Sequence, residues 1–171
     1  MTGRFLFRSI IGASLLISAA APLAAAPKTA SANSQATLVH PLSLVKSQDM
    51  DFGYLAVTTA GTAILDPVAN TESVTGGVIK LGGAPQAALF TGAASGGSVV
   101  NIKIPTQSVT LTRTGGTQTM ILSNFTLDGP DKRTMAKSTS FQFRVGGTLN
   151  VNAGQVEGAY TGTFDVTAQY P

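Results

Sequence analysis

Five Gly-Gly pairs, at 76/77, 82/83, 96/97, 115/116 and 146/147, cut most of this 171-residue chain into short pieces. Glycine enters left-handed backbone conformations at no steric cost, so a pair of them favours a tight turn and disfavours a helix interior. The pieces between the pairs alternate apolar and polar residues with a period of two. Val100, Ile102 and Ile104 alternate with Asn101 and Lys103, and Phe141, Phe143 and Val145 alternate with Gln142 and Arg144. Val109 and Leu111 fall together in the same way. A period of two places apolar side chains on one face of a strand, and short strands joined by glycine turns specify an antiparallel β-sandwich. Strands are expected at 36–45 (broken by Pro41), 52–57, 62–65, 74–81, 87–90, 99–104, 108–113, 119–127, 141–145, 148–151 and 159–170. One helical turn is expected at 131–137. No repeat unit of fixed period is present, which argues against a solenoid or propeller.

The first residues have a different character. Arg4 and Arg8 precede an apolar run from Ile10 to Ala21, closed by Pro22. Small residues follow, as in a signal peptide. Ala30-Ser31-Ala32 suits cleavage after Ala32; cleavage after Ala25 is the alternative, since Pro27 obstructs a cut after Ala26. The run is short for a membrane span, and no other segment is apolar enough to cross a bilayer as a helix. The expected organisation is a signal peptide over 1–32 and one domain over 33–171, exported to the periplasm, cell surface or medium. Export permits disulfides, yet the chain has no cysteine, so strand ladders and an apolar core must hold the fold.

The formal charge of +3 reflects the leader. Arg4, Arg8 and Lys28 precede residue 33, after which eight Lys/Arg balance eight Asp/Glu. Only Lys132, Arg133 and Lys137 cluster, so no basic face for nucleic acid is expected.

Catalytic patterns are equally scarce. His40 is the one histidine, no Gly-x-Ser-x-Gly elbow exists, and no cysteine can complete a zinc site. Asp49 and Asp51 lack the further ligands and closing Glu of a calcium loop and read as a polar loop entering a strand. No glycine pair is followed by the Lys-Ser/Thr of a phosphate loop. Asn124-Phe125-Thr126 matches a glycosylation sequon, a frequent chance match. No catalytic, metal or cofactor residue is assigned, and the chain is not expected to be an enzyme.

The segment 158–171 is the most informative. Tyr160, Phe164, Val166, Ala168 and Tyr170 fall on one side, and Thr161, Thr163, Asp165, Thr167 and Gln169 on the other. With Gly158 fourteen residues from the end and Tyr170 penultimate, it resembles the last strand of chaperone–usher pilins. That resemblance implies an immunoglobulin-like sandwich with an open groove beside Gly158, Tyr160, Phe164, Val166 and Tyr170. A periplasmic chaperone strand, then the N-terminal extension of another subunit, would fill it by β-strand addition. The candidate extension here is 33–45, presenting Leu38, Leu42 and Leu44 together with Ala36. Two departures stand out: the disulfide of one pilin branch is missing, and Pro41 removes a ladder bond from the donor strand.

A second resemblance spans most of the chain beyond the leader. It rests on Pro41-Leu42-Ser43-Leu44, Met50-Asp51-Phe52-Gly53, Gly76-Gly77-Val78, the run from Met120 to Phe125, the run from Val145 through Gly146-Gly147-Thr148 to Val151, and 158–164. These look like an exported bacterial family of unknown function, the domain of unknown function 4402 type. The expectation is a structural subunit of a surface fibre or pilus-like appendage, forming a homo-polymer by β-strand addition. The alternative is a monomeric periplasmic or cell-surface binding module with glycan as a candidate ligand, although a chain with no Trp and three Tyr offers few sugar platforms.

Overall fold

Alternating side chains on extended backbone bury one face of a strand and wet the other, and eleven strands are found among the described residues. The computed structural model describes residues 28, 30–136 and 140–171. Contacts divide the chain into two units, Met1–Ala36 and Thr37–Pro171. The expected signal peptide lies outside the described residues, apart from residue 28 and residues 30–32. No described helix is long and apolar enough to cross a membrane.

In the second unit, β1 (Ser43–Gln48) is followed by a long hairpin of β2 (Tyr54–Asp66) and β3 (Thr71–Gly82). β4 (Ala88–Ala93), β5 (Val99–Lys103), β6 (Val109–Arg113) and β7 (Thr119–Leu127) follow. Then come β8 (Lys132–Thr134), β9 (Ser140–Val151), β10 (Tyr160–Thr161) and β11 (Thr167–Gln169). All pairings are antiparallel. The larger sheet runs β1-β4-β9-β7-β6-β10, with β2 joined to β9 and β3 to β2; the smaller is β11-β5-β8. The two curl over a shared core in a sandwich-like arrangement.

The main core lies where β4 and the first half of β9 face β5 and the C-terminal segment. Phe90, Phe141, Phe143, Val145, Val100, Ile102 and Met135 are buried there. Phe143, wholly buried, stacks on Phe90 with ring centroids 5.3 Å apart. Arg133 lies over the Phe143 ring and donates from Nη2 to Asp128 Oδ1 at 2.5 Å, while Asp128 Oδ2 accepts the Arg144 amide at 2.9 Å. A smaller cluster of Ala63, Val78, Leu149 and Val151 fills the space under the β2–β3 hairpin.

Several expectations needed correction. The strands placed at 52–57 and 62–65 are one strand, irregular between Val57 and Gly61. The turn placed at Gly76-Gly77 does not exist, because β3 runs through it, and neither does the one at Gly146-Gly147, where β9 runs straight through. Here the neighbour on one edge of β9 changes from β4, paired through Val145, to β2, paired from Gly147. A Cβ at Gly146 would collide with the Leu65 carbonyl oxygen and come within 2.6 Å of Pro67 Cδ, so glycine serves close approach and not a turn. Residues 132–134 form a strand on β5, replacing the helical turn expected at 131–137; residues 137–139 lie outside the described set. The strand expected at 36–45 begins only at Ser43.

Candidate functional site

The C-terminal segment keeps its alternation but not its continuity. Tyr160, Phe164, Val166, Ala168 and Tyr170 are half-buried, and the odd residues from Thr161 to Gln169 are exposed. Yet Tyr160 and Thr161 pair with β6, whereas Thr167–Gln169 pair with β5 in the other sheet. Residues 162–166 cross between the sheets and belong to no ladder among the described residues.

A second stretch is also unpaired along one edge. β2 pairs with β9 only from Gly61 to Leu65, so residues 54–57 keep β3 on one side and have no described strand on the other. Between residues 50–57 and residues 155–164 lies a groove of about 790 Å³. Leu111, Met120, Leu122, Leu149 and Val151 reach its floor from β6, β7 and β9. Phe52, Leu55 and Val57 line one wall, and Tyr160 and Phe164 the other. The smaller core is therefore covered by the hairpin on one side and open along this slot.

Both walls are braced. Asp51 exchanges backbone hydrogen bonds with Gln86 (2.9 and 2.8 Å), and its carboxylate accepts the Gly53 amide at 2.8 Å. This Asx-type turn is the role of the polar loop expected at Asp49 and Asp51. Asp49 pairs with Lys46. On the opposite wall, Tyr160 donates its hydroxyl to the Val156 carbonyl at 2.6 Å and accepts from Gln155 Nε2 at 2.7 Å. Arg113 Nε donates to the Glu157 carbonyl at 2.6 Å. Gly158, at φ +144°, lets that guanidinium close in: a Cβ there would lie 2.6 Å from Arg113 Nε.

Of the five residues expected on a groove edge, Gly158, Tyr160 and Phe164 line the groove. Val166 and Tyr170 lie beyond it, packed on the main core. Phe164 belongs to both, with its ring 5.1 Å from Phe125 and 6.4 Å from Phe90. The three donor residues also separate. Leu38 is 96% exposed, on irregular chain. Leu42 and Leu44 pack against the main core of their own domain, and Leu44 lies opposite Gly92 of β4. Tyr170 fastens this junction: its hydroxyl accepts the Ser95 amide and donates to the His40 carbonyl, both at 2.9 Å, and the His40 amide donates to Ser95 Oγ at 2.5 Å. His40 is thus an anchor through its backbone, outside any strand.

Sequence reasoning missed the floor. Val109/Leu111, Met120/Leu122 and Leu149/Val151 show the signal of an inner face, but nothing in that alternation says the face is left uncovered. The remaining ionisable feature is Glu72, on the inner face of β3 opposite Leu65. Burial is the main cause that raises its pKa, Lys80 opposes it, and Asp51 adds to it. No group of three or more acidic, His or Cys side chains able to hold a metal ion occurs among the described residues.

The family described as Domain of unknown function (DUF4402) matches residues 42–170. No curated protein and no solved structure matches the chain.

Proposed function

The chain belongs to the DUF4402 family, and from the open groove we propose that it is an exported structural subunit of a surface fibre or pilus-like appendage, assembling by β-strand addition. The observation that carries this reading is the slot itself: two wall segments, each with an edge that no described strand pairs, on either side of an apolar floor. Such a slot suits an extended segment, whose backbone hydrogen-bonds to the walls while alternate side chains enter the floor. Each apolar side chain so buried contributes about 1.5–3 kcal/mol before the cost of ordering the segment.

The donor on this reading is the stretch before His40 in another subunit. It is shorter than the segment 33–45 expected from the sequence, because Leu42 and Leu44 serve their own domain. Leu38, 96% exposed, and Ala36 two residues before it are the apolar residues on one face left to donate. A periplasmic chaperone would occupy the same slot before assembly.

Sedimentation and electron microscopy of chains beginning at residue 33 and at residue 40 test the proposal. The longer chain is expected to form oligomers or fibres. The shorter is expected to remain a folded monomer that binds a labelled peptide of residues 33–39. A longer chain that stays monomeric, with a shorter one that binds no peptide, refutes the proposal and leaves the monomeric binding module.

A further inference from the structure

The groove has an electrostatic character as well as an apolar floor. No lysine, arginine or histidine is among its described lining residues, whereas Asp49, Asp51 and Glu157 are. Asp49 is paired with Lys46, which leaves Asp51 on one wall and Glu157 on the other, both exposed. Their backbones are fixed: Asp51 by its bridge to Gln86 and Glu157 by the bond from Arg113 to its carbonyl. Arg113 is the cation tied to that wall, and it meets the Glu157 carbonyl without lining the slot. A segment entering here passes two carboxylates and meets no opposing positive charge among the described lining residues.

Resting on the strand-accepting reading above, we infer that the groove selects its strand by charge: it takes an extended segment with apolar residues at alternate positions and a basic residue on its flanks. An acidic flank brings like charges together across the walls, while a basic one gains an attraction that salt weakens. The apolar floor supplies affinity for any alternating segment, and the two carboxylates discriminate among them. The occupant selected by charge is thus a cationic, amphipathic strand of a partner protein, since residues 33–39 of a second copy carry no lysine or arginine and enter on the apolar floor alone.

The test uses the chain from residue 33 onward and two labelled peptides with identical apolar residues at every second position, one flanked by lysines and one by glutamates. Fluorescence anisotropy reads their affinities at low and high salt. The lysine-flanked peptide is expected to bind about 3–10-fold more tightly at low salt, the range two exposed charge pairs supply. High salt should erase the difference. So should the double variant Asp51→Asn, Glu157→Gln, in which the new side-chain amide oxygen still accepts the Gly53 amide and the melting temperature stays unchanged. Equal binding of both peptides, or tighter binding of the glutamate-flanked one, overturns the charge rule while leaving the strand-accepting groove intact. Binding of neither peptide overturns the groove reading and this inference with it.

Discussion

Tyr170→Phe removes one oxygen atom and keeps the ring. That oxygen accepts the Ser95 amide and donates to the His40 carbonyl, each at 2.9 Å. The two losses are unequal. Exposed His40 can offer its carbonyl to water, at little cost. Ser95 is only 9% exposed, and a phenylalanine ring would stand where its acceptor was. A buried amide without a partner costs about 1–3 kcal/mol, so the variant should lose about that much stability. In thermal terms the midpoint should fall by roughly 3–10 °C. Urea denaturation gives the free energy, and amide hydrogen exchange gives the location: Ser95 should lose protection while amides in β9 keep theirs relative to global unfolding. A change below about 0.5 kcal/mol, the scatter of ordinary surface substitutions, with Ser95 still protected, would refute the claim that this hydroxyl fastens the segment before β1 to the C-terminal segment.

Three further outcomes follow from particular contacts. Phe143→Ala, at a wholly buried ring stacked between Phe90 and Phe141, should cost about 3–5 kcal/mol by urea titration. Gly146→Ala should cost about 1–3 kcal/mol through overpacking against the Leu65 carbonyl and Pro67, and an unchanged midpoint would show that β2 can move aside. Glu72 has a raised pKa in the folded state; its stabilising effect is therefore full below the ordinary carboxylate pKa and is lost as pH rises through the folded value. Glu72→Gln should accordingly raise the melting temperature near neutral pH and leave it nearly unchanged in acid; a shift of the same size at both pH values would exclude a role for the charge.

How far the sequence could be read depends on which force set each feature. Where burial decides, alternation was enough: the strand at 119–127 matches β7 residue for residue, and the even residues of the C-terminal segment face inward as expected. Where glycine decides, the same residue had two meanings. Gly115 and Gly97 occupy left-handed turn conformations, but Gly146 sits inside β9 because other backbone passes close by. Single-chain pattern cannot tell a glycine needed for its φ from one needed for its missing side chain. The sequon at Asn124 is a similar case: the residue adopts φ +49° where the β7–β9 register shifts, a conformation asparagine tolerates well. The groove was legible only on one side. Gly158, Tyr160 and Phe164 were named from a local pattern, whereas the opposite wall and the floor come from residues 50–57, 111, 120 and 149, joined only by tertiary pairing. The junction of His40, Ser95 and Tyr170 was hidden for the same reason, since it links residues 55 and 130 positions apart.

The central place of β9 sets an order of events in time. It is the strand that joins β4, β2 and β7 into one sheet, yet it is completed only at Val151. The β2–β3 and β6–β7 hairpins close over short loops and can form as soon as they are made. β4 and, through it, β1 have no sheet to join until most of the chain has been synthesised. Pairings of such wide sequence separation are slow to form and leave strand edges exposed to other chains meanwhile. On the export proposed above, a chain built this way would reach its channel still unfolded, and would complete its sheet only after nearly all of it had passed through.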